Sequence, residues 1–482
     1  MTLDPNTCYR AMRARDARFD GRFFIAVSST RIYCRPVCTV KPPRRENCRF
    51  YPSAAAAESA GYRPCLRCRP ELAPGNASID ATTRLAQAAA SLIEDRTLED
   101  DGLEAIAARL GITDRHLRRA FRAEFGVSPV EFAQTQRLLL AKRLLTDTAL
   151  PVTEIAFASG FASVRRFNAL FKAQYRLQPT QLRRVAPGAA ARDTLDFELS
   201  FRPPYDWPAV RAFLGARAIA GVEALEGGAN GRYRRTVRVA LDGQPQFGWL
   251  EVGLSPKKPA LRVSVSASLA RALPPVLSGV KALMDLACNP LEVGRALGAL
   301  AKAHPGLRVP GAFDGFEVAV RAILGQQVTV AAARTVAGRF AAAFGDPVET
   351  PFEALTTVFP TAARIAAVPY GRIAKLGMPG ARARTVIALA REVADAKLDL
   401  MPNADIEATL EKLRALPGIG EWTAQYIAMR ALAWPDAFPH RDVGVMKALN
   451  LTDPKRVLAA GEAWRPWRAY AVMHLWHSLR KD

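Results

Sequence analysis

Two cysteine pairs constrain this chain more than any other feature. Cys34-Arg35-Pro36-Val37-Cys38 places two thiols four residues apart, and after 26 intervening residues Cys65-Leu66-Arg67-Cys68 supplies a second pair. Two short-spaced pairs joined by a longer loop can close on one tetrahedral zinc ion, which four thiolates satisfy. Disulfides are the alternative. No apolar run follows Met1, and Asp4, Arg10, Arg13 and Arg15 come at once, so the start does not read as a secretory signal. A reducing cytosol disfavours structural disulfides, which makes zinc in a cytoplasmic protein the expectation. Cys8, Cys48 and Cys288 lack the spacing and read as small apolar residues. A purely structural zinc knuckle remains the rival to a chemical role.

With 482 residues, half of them hydrophobic, the chain has room for roughly three or four domains. No apolar stretch reaches membrane-spanning length, so no membrane partner is expected. The formal net charge of +22 points to a polyanion. Residues 1–190 hold 30 Lys plus Arg against 18 Asp plus Glu, and the rest hold 37 against 27, so both halves are basic. Nucleic acid is favoured over an acidic membrane surface because no polybasic amphipathic anchor occurs.

Turn-rich stretches at Pro70–Asn76 and around Pro187-Gly188 divide the first half, and residues 80–186 between them read as helix. Leu103, Ile106, Ala107 and Leu110 recur at helical spacing. Gly111-Ile112-Thr113 makes a turn, and Asp114 is placed to cap a second helix with Leu117, Phe121 and Phe125 on its apolar face. The plan repeats at Val152–Phe161, followed by a helix from Ser163 to Tyr175. Each unit is a helix, a glycine turn and a helix, as in DNA-reading helix-turn-helix motifs. Arg115, His116, Arg118 and Arg119 decorate the first candidate recognition helix; Ser163, Arg165, Arg166 and Asn168 decorate the second. One such unit is weak evidence, but two joined by a helix through Leu138–Leu145 are much stronger.

The run Phe23–Val27 through Tyr33–Cys38, with Arg45-Glu46-Asn47 and Gly61–Cys65, resembles the N-terminal domain of the adaptive-response (Ada) protein. Residues 80–186 resemble its AraC-type DNA-binding domain. The resemblance implies irreversible transfer of a methyl group from a DNA phosphotriester to Cys34, with Cys34, Cys38, Cys65 and Cys68 as zinc ligands. It also implies a transcriptional switch, because methylating one thiolate removes a negative charge that repels DNA. Promoter DNA and the transcription machinery are then expected partners. No Pro-Cys-His-Arg run occurs, so the second methyl-acceptor domain of longer relatives is not expected.

Between 195 and 265, four alternating segments (Leu195–Phe201, Tyr233–Val239, Phe247–Val252 and Leu261–Val265) read as half-buried strands, with helices at Pro208–Leu214 and Pro275–Leu286. An α+β domain with little chemistry of its own is expected, and Trp207 and Trp249 read as packing residues.

The remainder reads as helical. Leu416-Pro417-Gly418-Ile419-Gly420-Glu421-Trp422 is a helix-hairpin-helix signature whose glycines let backbone N–H groups approach a DNA phosphate. Asp442 follows Gly420 by 22 residues. Together with Ala322–Val328 and Trp464–Trp476, these residues resemble the 3-methyladenine glycosylase II (AlkA) branch of the helix-hairpin-helix base-excision glycosylases. The resemblance implies excision of an alkylated purine with Asp442 catalytic, in a base pocket walled by Trp422, Tyr426 and Trp476. Trp422 stands where related bifunctional enzymes carry a Schiff-base lysine, which implies hydrolysis without strand cleavage. Gln327 takes the place of an apolar duplex-filling wedge, and Val443 replaces an aromatic neighbour of Asp442. The carbonyls of Arg414, Leu416 and Ile419 match a monovalent-cation site, with sodium the expected ion.

The expected architecture is therefore multidomain. Residues 1–75 form a small zinc-bound α+β domain and 80–186 an all-α tandem helix-turn-helix domain. An α+β domain at 194–288 and an all-α helix-hairpin-helix domain at 289–482 complete it. The expected protein is a monomer in the cytoplasm, associated with the nucleoid and acting on double-stranded, alkylated DNA. Two alternatives stand beside this reading: a transcription factor with a noncatalytic glycosylase-like module, and a glycosylase with a purely structural zinc domain.

Overall fold

Strand-forming residues around the first cysteine pair build a four-stranded sheet, described here from a computed structural model covering residues 4–74, 81–94, 102–183, 193–241, 243–402 and 404–480. Its strands β1 (Phe24–Val27), β2 (Ile32–Cys34), β3 (Cys48–Tyr51) and β4 (Arg63–Pro64) lie in the order β3-β1-β2-β4. β1 pairs antiparallel with β2 and β3, whereas β2 and β4 run parallel. That parallel step carries Cys34, at the end of β2, towards Cys65, just beyond β4; the Cys65 amide donates to the Tyr33 carbonyl at 3.0 Å. The expected linker at 70–76 is described only to residue 74, and the boundary around Pro187-Gly188 lies outside the described residues.

Two helix-turn-helix units follow. Gly111 (φ +67°) and Gly160 (φ +83°) each take the left-handed conformation that the turn between helices requires. The helix Pro129–Asp147 joins the units and opens with a capping box, in which Ser128 and Glu131 satisfy each other's backbone amides. The first recognition helix, Asp114–Phe125, is capped by Thr113, whose hydroxyl accepts from the His116 amide at 3.3 Å. This corrects the expected cap at Asp114: that residue is already helical and instead pairs with Arg118 at 2.8 Å.

The third unit is a five-stranded antiparallel sheet ordered β5-β9-β8-β7-β6, comprising Thr194–Ser200, Ala260–Ser266, Gln244–Leu254, Arg232–Leu241 and Glu223–Glu226. Four strands match the alternating segments. The edge strand β6 is too short to register as a pattern. Helices then dominate, except for a two-stranded ribbon of β10 (Asp346–Pro347) and β11 (Thr357–Val358), a small departure from an all-α expectation.

The units share buried surface. One continuous apolar core runs from Leu138 in the joining helix through Phe167 and Phe171 to Val263 and on to Leu475, so the second helix-turn-helix unit packs onto the five-stranded sheet. Arg143 reinforces the contact, lying over the Phe197 ring at 4.7 Å and donating to the Glu198 carbonyl at 2.9 Å. Among the described residues no helix is long and apolar enough to cross a membrane.

Candidate active site and metal centre

Local sequence places each group of the candidate active site. The turn Pro417–Gly420 links the helices Ile406–Ala415 and Glu421–Arg430, and Gly418 takes φ +86°. A Cβ at Gly418 would lie 2.2 Å from Oγ1 of Thr385, so the turn needs glycine for space as well as conformation. Arg414 and Glu421 brace the two helices across the turn at 2.7 Å. The Leu416 carbonyl accepts from the Ile419 amide at 3.1 Å, while the Gly418 and Gly420 amides have no acceptor among the described residues.

Trp422 and Tyr426 sit one helical turn apart, and their rings stack at 5.4 Å with 21° between planes. Trp476, from the helix Arg468–Ser478, faces Tyr426 at 6.3 Å. Asp442 caps the helix Val443–Ala448, accepting from the Val445 amide at 2.9 Å. Its Oδ2 accepts the Trp422 indole N–H at 2.7 Å and its Oδ1 the Trp476 indole N–H at 2.8 Å. The four residues singled out in the sequence therefore form one cluster. A carboxylate with both oxygens engaged by N–H donors is held in one orientation as an acceptor.

The structure adds residues that sequence reasoning missed. Phe213, on the helix Trp207–Ala216, stacks on Trp476 at 6.2 Å and 15°. Arg217 lies over Phe213 at 3.8 Å. The α+β domain thus packs an aromatic side chain against this cluster, a contact between distant segments that no local pattern announces. Arg430 donates to the Tyr426 hydroxyl at 3.0 Å. Burial would raise the Tyr426 phenol, but Arg430, Arg217 and Arg321 together hold it below its usual value. Gly444 lies tight against the same pair: a Cβ there would stand 3.0 Å from both Asp442 Oδ1 and the Trp476 ring, which would have to shift to admit it.

Gln327 is exposed at φ +53°, in the loop between helices Gly315–Leu324 and Val330–Phe344, and Val443 beside Asp442 is 79% exposed. Arg115, His116, Arg118 and Arg119 are exposed on the first recognition helix. On the second, Arg165 and Arg166 are exposed and Asn168 is half-buried. Ser163 is that helix's cap, accepting from the Arg166 amide at 3.1 Å.

At the other centre the Sγ atoms of Cys34, Cys38, Cys65 and Cys68 all lie within 4.8 Å of one another. The Arg35 amide points at Cys68 Sγ (3.3 Å) and the Arg67 amide at Cys65 Sγ (3.4 Å), donors that suit thiolates. Four convergent sulfurs with amide support fit a zinc ion. Cys34 and Cys38, but not Cys65 or Cys68, line a small apolar cleft of about 20 Å³ walled by Ile25, Val27 and Val40. The other three cysteines are buried elsewhere, outside the cluster.

A hairpin, an indole-held carboxylate and a four-cysteine centre define a base-excision repair domain joined to an Ada-type metal-binding and helix-turn-helix region. The family comparisons agree: residues 7–71 match the metal-binding domain of Ada, 106–185 a helix-turn-helix domain, 196–314 the AlkA N-terminal domain, and 320–456 the HhH-GPD superfamily of base excision DNA repair proteins. The chain is 40% identical over 99% of its length to the "Probable bifunctional transcriptional activator/DNA repair enzyme AlkA" of Mycobacterium tuberculosis, covering 97% of that protein, and it belongs to that family. It is 36% identical to DNA-3-methyladenine glycosylase 2 of Escherichia coli, covering 58% of this chain and 97% of that one. A solved structure of a 3-methyladenine DNA-glycosylase from Archaeoglobus fulgidus aligns over 58% of this chain and 97% of its own, at 22% identity and a TM-score of 0.49.

Proposed function

We propose that the chain removes alkylated purines such as 3-methyladenine from double-stranded DNA and couples that repair to a methyl-sensing transcriptional switch. The observation that carries the first activity is the Asp442 carboxylate, fixed by two indole N–H groups beside an aromatic wall. Departure of a base builds positive charge on the sugar, and a preoriented carboxylate stabilises it without reorganising and can direct water to the same carbon. Trp422, Tyr426 and Trp476 present rings that attract a cationic alkylated base more than its neutral parent. The Arg430 guanidinium beneath them is occupied by the Pro310 and Gly311 carbonyls and the Tyr426 hydroxyl, which turns its donors away from the base.

The free amides of Gly418 and Gly420 suit a DNA phosphate, and the Arg414, Leu416 and Ile419 carbonyls are the candidate sodium ligands. The side chain facing Asp442 from position 422 is an indole, with no amine to form a Schiff base, so the reading is hydrolysis without strand cleavage. Incubation with methylated duplex DNA tests it. Free 3-methyladenine and an alkali-labile abasic site are expected, and borohydride trapping of a protein–DNA adduct would refute the hydrolytic reading.

For the second activity Cys34, Cys38, Cys65 and Cys68 would hold zinc, which when bound keeps their sulfurs as thiolates. The Cys34 sulfur attacks the methyl carbon of a phosphotriester, forming an S–C bond as the C–O bond breaks, and the electron pair leaves with the phosphodiester oxygen. The apolar cleft at Cys34 suits a methyl group. Loss of one negative charge then favours promoter binding through the exposed arginines of both recognition helices, with the transcription machinery as downstream partner. A cytoplasmic monomer is the form proposed.

A further inference from the structure

Three hydrogen bonds converge on Gln326, a residue the chemistry above does not use. Its Nε2 donates to the Gly418 carbonyl at 2.8 Å and to Oγ1 of Thr423 at 2.9 Å, and its backbone carbonyl accepts from Nη2 of Arg382 at 2.6 Å. Gly418 is the left-handed residue of the hairpin turn, and Thr423 adjoins Trp422 in the aromatic wall. One side chain thus ties the loop Gly325–Thr329 to the hairpin and to the pocket together.

The tie acts on two places. The peptide between Gly418 and Ile419 is held at both ends, its carbonyl by Gln326 and its N–H by the Leu416 carbonyl at 3.1 Å. That peptide sits between the two glycine amides free to meet a phosphate. The residue after Gln326 is Gln327, exposed at φ +53°, where a non-glycine side chain stays only if its flanks impose it. Gln326 anchors one flank. On the other, Thr329 caps the next helix, accepting from the Ala332 amide at 3.2 Å.

We propose that Gln326 is a positioning residue that makes the hairpin's hold on DNA and the presentation of Gln327 to the duplex one event. A hairpin seated on a phosphate then sets where Gln327 meets the base stack beside the pocket. The role rests on the glycosylase reading, but the coupling itself can be measured without base release.

The test uses the full-length protein. The probe is a duplex with a tetrahydrofuran abasic analogue beside 2-aminopurine, whose fluorescence reports local unstacking. Gln326→Glu keeps the side chain's size but cannot donate either bond. It is expected to bind undamaged duplex more weakly than wild type, to lose roughly tenfold more on the abasic analogue than on undamaged duplex, and to lose most of the fluorescence rise. Single-turnover release from a duplex with one alkylated purine should fall by a similar factor. Thr423→Val, which removes one of the two accepted bonds, should give an intermediate deficit; it decides the matter if melting shows that Gln326→Glu is misfolded. Unchanged preference and fluorescence in the variants would overturn the proposal, as would equal losses on undamaged and abasic DNA. If wild type released no base, the glycosylase reading would fall while the fluorescence arm still decided the role of Gln326.

Discussion

Trp476 and Asp442, 34 positions apart in the chain, meet through an indole N–H···Oδ1 hydrogen bond of 2.8 Å, with the Trp476 ring stacked on Phe213 from another domain. The carboxylate's orientation therefore depends on the packing of the α+β domain against the final helix. With Trp422 on the second oxygen, the pair of indoles leaves the carboxylate little rotational freedom.

Substituting Asp442→Asn should reduce base release by at least about a hundredfold, because the amide has no charge to set against the developing sugar cation. It would also turn an N–H₂ group towards one of the indole donors. Affinity for undamaged DNA should change by no more than about threefold, since the proposed phosphate contacts lie on the hairpin and not on Asp442. Single-turnover release and a binding titration on the same preparation check both statements.

Trp476→Phe and Trp422→Phe each keep a ring in the wall but remove one N–H from the carboxylate. A hydrogen bond to a charged group contributes about 1.5–3 kcal/mol, so each variant should lose roughly ten- to a hundredfold in the rate of base release. Comparable affinity for the released base, measured by product inhibition, would separate loss of orientation from loss of the wall.

The metal centre makes a separate statement. Cys38→Ala, Cys65→Ala and Cys68→Ala should each abolish tight zinc binding and destabilise residues 4–74, whereas Cys48→Ala should retain the metal. Cys48 is buried outside the cluster, with its thiol directed at the Arg44 carbonyl at 3.3 Å. Metal analysis together with limited proteolysis of the four variants provides the check.

Glu58 gives a pH dependence with a definite sign. Burial pushes its carboxyl up from 4.5 to about 8, although Tyr33 and Thr135 donate to it at 2.8 and 3.3 Å. The folded state therefore binds a proton that the unfolded state releases near 4.5, so stability falls as pH rises from about 4.5 to about 8. Glu58→Gln mimics the protonated form and should flatten that slope. Melting of zinc-loaded wild type and variant between pH 5.5 and 9 measures the difference.

The four cysteines and the hairpin could be read from the chain because each is a local pattern with one demanding purpose. Sulfurs at two short spacings must converge for a metal, and Gly418 leaves no room for a Cβ. Phe213 and Arg217 could not be read this way. They lie more than two hundred positions before Trp476, on a helix and its C-cap whose own pattern speaks only of packing, and tertiary contact alone brings them to the Trp476 cluster. Thr113 and Asp114 are adjacent oxygen-bearing residues, and the extended backbone of Thr113 decides between them as cap. Gly444 matters through clearance from Trp476, which no local pattern encodes.

Methyl transfer should reach Cys34 alone among the seven cysteines. Cys34 and Cys38 both line the small apolar cleft, and Cys34 is the acceptor proposed above. After exposure to duplex DNA bearing methyl phosphotriesters, mass spectrometry should find one added methyl on the peptide containing Cys34. Cys34→Ala should accept none. Methylation removes one negative charge close to the phosphates, so operator affinity should rise and should fall steeply with added salt, the signature of counterion release. A methyl found on Cys38, or equal affinity before and after transfer, would contradict this account of the switch.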